Sequence, residues 1–215
     1  MSANPAVAVS SRPLVSQPVQ AVALLFLGGL TLYFYADHLP PYFTFTEESY
    51  GAYYWQKRLA LVFHLFGGSL ALFTGVPQLW SGLRSRAMSL HRWIGRLYLL
   101  GVSIACAGLF IMTTTPLEGS NWGFQFALFG AGLAWVLTTG FAYLAIRRRN
   151  LVLHKQWMIR SYMVTFAFVT FRFLIDYLPW AAWGLNGNEF MTAMVWASWV
   201  PPLVAYDVML QWRTL

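Results

Sequence analysis

Six stretches of the chain are apolar over a length that suits a membrane span. They cover residues 19–36, 59–80, 92–113, 122–146, 156–178 and 190–212. A helix needs ~20 such residues to cross a hydrocarbon core about 30 Å thick. A barrel of strands is excluded, because its signature is ~10-residue segments of strict alternation and the chain has none. The intervals between spans are short, apart from residues 37–58. That interval mixes Asp37, Glu47, Glu48, Lys57 and Arg58 with many aromatics, and reads as a segment lying on the membrane surface. Pro40 and Pro41 stop the first span. Pro201 and Pro202 sit inside the sixth, where the missing donors predict a kink.

Two finer patterns predict how the spans pack. Gly67, Ala71 and Gly75 recur every fourth residue on the second span and make a flat stripe for close helix contact. An offset of 63 residues then aligns residues 66–91 with 129–154. Arg84, Arg86 and His91 fall on Arg147, Arg149 and His154. After one inserted residue, Arg96 and Tyr98 fall on Arg160 and Tyr162. The reading is an all-α membrane protein with six transmembrane helices. Spans two to five form a four-helix core from two parallel hairpin repeats, with spans one and six outside it.

Composition agrees. The chain is 58% hydrophobic and 10% charged, against about 25% charged in soluble domains. The net charge of +7 fits an excess of basic residues in cytoplasmic loops. No basic face is free of apolar spans, so nucleic acid is excluded as a partner. Arg12, the two basic loops and Arg213 share one side of this topology, while Glu118 and Glu189 lie on the other. The expectation is a multi-pass protein of the inner (plasma) membrane with both termini cytoplasmic. Residues 1–18 read as a disordered cytoplasmic tail and 19–215 as one six-span domain. Cys106 is the single cysteine, so an intrachain disulfide is impossible.

The polar residues within the spans carry the candidate chemistry. His91 and His154 fall at one depth on the cytoplasmic ends of spans three and five. Paired imidazoles on facing helices are what the iron of a b-type haem needs, and Arg84, Arg86, Arg147 and Arg149 are placed to meet its propionates. Interfacial histidines that bond lipid phosphate or backbone remain the alternative. His64 matches Ala127 in the second hairpin, so a second two-histidine site lacks a ligand. It reads as a hydrogen-bonded bundle histidine or a proton-relay residue. Arg96, Arg160 and Asp207 share a depth, so Asp207 is expected to pair with one or both arginines unless they snorkel. Arg172 and Asp176, four apart, are expected to meet on one helix face. This network is structural, or an anion or quinone head-group site. The chain has no phosphate-binding glycine loop, metalloprotease helix or nucleophile elbow, which leaves enzymatic activity undecided.

The stretch Ser89–Gly95, SLHRWIG, resembles the Ser-Leu-His-Ser-Trp segment of transmembrane, ascorbate-dependent di-haem b-type cytochromes. That resemblance implies six spans, a four-helix core, and His91 with His154 as one haem ligand pair. His64 stands where an outer-haem ligand would be, but span four has no histidine and Arg92 replaces the serine. The chain is also similar to a bacterial family of predicted integral membrane proteins of unknown function. Its signature is a His- and Gly-rich helix, a basic loop, His-Arg-x-x-Gly-Arg-x-Tyr and a later His-x-x-Trp-Met-x-Arg-Ser. Here these are residues 64–75, 84–86, 91–98 and 154–161. Two functional classes follow. One is a b-type haem or quinone-linked redox protein, with a quinone or redox partner, moving electrons at the cytoplasmic side. The other is a non-catalytic transporter-like or accessory subunit, whose Arg-Asp network is structural or binds an anionic lipid or solute.

Overall fold

The computed structural model describes residues 17–115, 121–179, 182, 184 and 187–212. The tail read over 1–18 lies outside the described residues as far as residue 16, and so do Arg12, Glu118 and Arg213. The described residues form helices and no strand: α1 Gln17–His38, a 3-10 turn Pro40–Thr44, α2 Glu47–Trp55, α3 Arg58–Leu79, α4 Ser81–Arg86, α5 Met88–Thr114, α6 Trp122–Arg147, α7 Leu151–Tyr177 and α8 Gly187–Trp212. Of these α1, α3, α5, α6, α7 and α8 are long and apolar enough to span a membrane.

The basic loops are shorter than the sequence suggested. Residues 81–91 are not a loop: α4 fills most of them and α5 already starts at Met88. The loop expected over 147–155 shrinks to residues 148–150. Hydropathy marks only the part of a helix within hydrocarbon, whereas Arg and Lys are good helix formers once the helix emerges into water. Asn150 starts α7 by accepting a bond from the Leu153 amide at 3.0 Å. Arg149 turns the chain just before it with a φ of 58°. Helix α2 occupies part of the long polar interval. Thr46 caps it, and Tyr50 is buried against Ala60, Leu61, Leu109 and Met112. Helix α8 runs through Pro201 and Pro202.

Four helices close a ring. Helix α3 packs on α5, α5 on α6, α6 on α7, and α7 back on α3. Helices α5 and α7 are therefore diagonal partners. Helix α8 lies against α6 and α7, and α1 against α3 and α7. The α3–α5 crossing is backbone against backbone. A Cβ at Gly101 would stand 2.8 Å from the Gly67 carbonyl oxygen and 2.9 Å from the Ala71 nitrogen. One at Gly108 would stand 2.8 Å from the His64 nitrogen. Small residues on both helices permit that approach. Apolar side chains such as Phe66, Leu100, Phe126 and Val208 stay exposed on the outside, as suits helices that face hydrocarbon.

Candidate functional site

The centre of the bundle holds a closed network of hydroxyl groups. The Tyr98 hydroxyl of α5 meets Ser161 Oγ at 2.6 Å and Thr165 Oγ1 at 2.8 Å on α7. Trp135 Nε1 of α6 donates to Thr165 at 2.9 Å, and Thr139 meets Ser161 at 2.6 Å. All five side chains are buried. Buried hydroxyls are costly unless paired, and here each has a partner. The sequence barely marks this network. Its only signal was spacing, for Tyr98 and Ser161 each lie seven residues after a histidine.

That spacing also orients the histidines. His91 is the fourth residue of α5 and His154 the fourth of α7. Seven residues return a helix to within ~20° of the same face, after a rise of ~10.5 Å. Tyr98 and Ser161 touch, so His91 and His154 lie on the faces of α5 and α7 turned towards that contact line. Both are half-buried. His154 Nδ1 lies 2.9 Å from the Ala142 carbonyl oxygen of α6. A carbonyl oxygen only accepts, so Nδ1 is the donor in that contact, and Nε2 is the nitrogen it leaves unengaged. The His91 carbonyl accepts from Gln78 Nε2 at 2.8 Å.

The cations around this end are distributed unevenly. Arg86 and Arg149 are exposed, Arg147 donates to the Tyr143 hydroxyl at 3.2 Å, and the Arg84 side chain lies outside those described. Asp207 pairs with Arg160 alone, through Nε at 2.9 Å and Nη2 at 2.5 Å. Arg160 also stacks on Trp157 at 4.7 Å. Arg96 has no part in that pair; it is exposed and stacks on Trp93 at 4.9 Å. The expected Arg172–Asp176 pair does not form. Asp176 lies 3.2 Å from His38 Nε2 instead, because α1 packs on α7 and brings His38 nearer than a neighbour on the same helix.

The opposite end is held by a buried lysine that a reading of loop charges overlooks. Lys57 reaches from the start of α3 to the Met112 carbonyl oxygen at 2.5 Å and the Tyr53 hydroxyl at 3.4 Å. A cation on the last free carbonyls of α5 suits the negative end of the helix dipole. Tyr53 bonds Gln125 of α6. Burial, with Tyr53 beside it, pushes the Tyr54 phenol up to about 12. Between the two ends sits His64. Its Nδ1 lies 2.9 Å from the Ala105 carbonyl oxygen, within reach because the α3–α5 crossing is so close. Phe168 covers its ring at 5.0 Å. Ala127 is buried at the matching position of α6.

No curated protein and no solved structure matches the chain. One family model does, over residues 61–210, which run from α3 nearly to the end of α8 and leave α1 outside. By that match the chain belongs to the family described as predicted membrane protein (DUF2306).

Proposed function

We propose that the protein is a b-type haem protein of the inner membrane that carries electrons at the cytoplasmic end of its four-helix core. The observation behind this reading is that His91 and His154 share a turn number on diagonal helices whose facing sides touch at Tyr98 and Ser161. The donor set suits a haem. His154 Nδ1 is engaged by the Ala142 carbonyl, which leaves Nε2 for iron, and an imidazole held by its second nitrogen is the usual arrangement of a metal-ligating histidine. His91 and His154 would hold the group, and Arg86, Arg147 and Arg149, all exposed at the same end, would meet its propionates. Bound there, haem would supply one-electron chemistry towards a quinone or a redox partner. The chain's own residues orient the His154 imidazole through the Ala142 carbonyl, and the paired hydroxyls around Tyr98 fill the interior beneath.

The Arg160–Asp207 pair supports a second reading, a transporter-like or accessory subunit in which that pair is structural. Absorption spectra separate the two. Protein purified in detergent after expression with adequate haem is expected to show a Soret band and sharp reduced bands on adding dithionite. His91→Ala and His154→Ala should each abolish or shift them. No Soret band in the parent protein, or unchanged bands in both variants, would remove the haem reading. Reporter fusions at residues 118 and 149 test the orientation, with cytoplasmic activity expected only at 149.

A further inference from the structure

We infer that the lipid-facing side of α5 around Arg92, Trp93 and Arg96 binds the phosphate of an anionic phospholipid in the leaflet on the basic side of the membrane. The inference does not depend on a haem. It starts from a contrast between two arginines. Arg96 is the ninth residue of α5 and Arg160 the tenth of α7, and each stacks on the tryptophan three residues before it, Trp93 or Trp157. Arg160 receives a carboxylate from Asp207 of α8. Helix α8 packs on α6 and α7, so no equivalent reaches Arg96. Among the described residues Arg96 has no ion pair and no hydrogen bond, only the Trp93 ring.

Its surroundings point to lipid. Trp93, Leu97 and Leu100 are exposed at 60%, 41% and 51% on the same stretch of helix. Side chains of an α-helix lean towards its N-terminus. The N-terminus of α5 is the basic end, so the guanidinium reaches back over Trp93 towards the head groups, where arginine snorkels and tryptophan prefers to sit. Arg92 lies four residues before Arg96, on the same face, and is also exposed. Two cations and an indole at interfacial depth make a phosphate-sized receptor. Among the described residues the one Asp or Glu on the helices of this end is Asp207, and Arg160 holds it, so those residues of a second copy would offer no ready counter-ion.

The test is native mass spectrometry of the full chain released from micelles containing phosphatidylglycerol or phosphatidylcholine. The parent protein should retain phosphatidylglycerol in preference to phosphatidylcholine. Arg96→Gln should retain it about five-fold less, the effect of one interfacial cation, and Arg92→Gln should fall in the same direction. Arg148→Gln, which removes an exposed cation from the loop between α6 and α7, should behave as the parent. Thermal unfolding of each variant establishes that it is folded, and Arg92→Gln carries the test if Arg96→Gln is not. The proposal is overturned by equal retention of the two lipids, by parental retention in both Arg96→Gln and Arg92→Gln, by displacement of the lipid with millimolar inorganic phosphate, or by a dimer that dissociates on Arg96→Gln.

Discussion

The two hairpins of the core begin their second helices alike and fill the space between their helices differently. In the first, α3 and α5 meet through Gly67, Ala71, Gly101, Ala105 and Gly108, and backbone lies on backbone. In the second, Trp135, Thr139, Ser161 and Thr165 line the contact between α6 and α7 with an indole and three hydroxyls. A close crossing gains dispersion contacts and leaves no room for polar groups, except where His64 reaches the Ala105 carbonyl. The second hairpin holds polar side chains, which requires that every one is satisfied. One hairpin is thus a close-packed wall, and the other supplies the polar interior that the Tyr98 hydroxyl crosses the bundle to join.

The sharpest way to break that contrast is to add one methyl group to the close crossing. Gly101→Ala puts a Cβ within 2.9 Å of backbone atoms on α3, and backbone cannot swing aside as a side chain can. The expected cost is about 3 kcal/mol, at the top of the usual overpacking range. It would be read as a large fall in detergent melting temperature or loss of monodisperse protein. Gly140→Ala is the control, because a Cβ there meets nothing within 4 Å. It should be neutral or stabilising by up to about 1 kcal/mol through helix propensity. Equal effects at the two positions would mean that the crossing is not close packed.

The polar hairpin should respond to loss of a partner rather than to added bulk. Thr165→Val keeps the shape of the side chain but leaves Trp135 Nε1 without its acceptor and Tyr98 with one hydroxyl instead of two. About 2 kcal/mol of destabilisation is expected for the orphaned donor. Tyr98→Phe should cost less, about 1 kcal/mol, since Ser161 keeps Thr139 and Thr165 keeps the Ser161 carbonyl. If the order of the two melting temperatures is reversed, Tyr98 and not Thr165 is the hub of the network.

The difference between the hairpins was partly legible in the sequence. The stripe Gly67, Ala71, Gly75 is readable because small residues at helical spacing have few uses other than close packing. The spans were readable because hydrocarbon imposes a length. The hydroxyl network was not, since isolated Ser and Thr occur in any membrane helix and their partners lie on other helices. The same limit explains Asp176. Spacing along α7 points to Arg172, four residues away, while His38 of α1 is invisible to any pattern within one helix. The helix starts at Met88 and Leu151 are hidden from the sequence for another reason. Polar residues there end the hydrophobic signal without ending the helix, and so His91 and His154 stand inside first turns rather than in loops.

The smallest expected effects concern the two stacked arginines, and they test whether the hairpins differ in charge as well as in packing. Asp207→Asn removes the counter-ion of Arg160. The Asp207 side chain is 47% exposed and that of Arg160 15%, so solvent already screens the pair and the loss should stay near 1 kcal/mol or below. Arg160→Gln should cost a similar amount, and the double variant little more than either alone, because both singles break the same contact. Arg96→Gln, measured in lipid-free detergent, should move the melting temperature little, by about 0.5 kcal/mol, because it removes only the exposed stack on Trp93. An Arg96→Gln variant as destabilised as Asp207→Asn under those conditions would show that Arg96 has a counter-ion within the protein, and the proposed difference in charge between the hairpins would not stand.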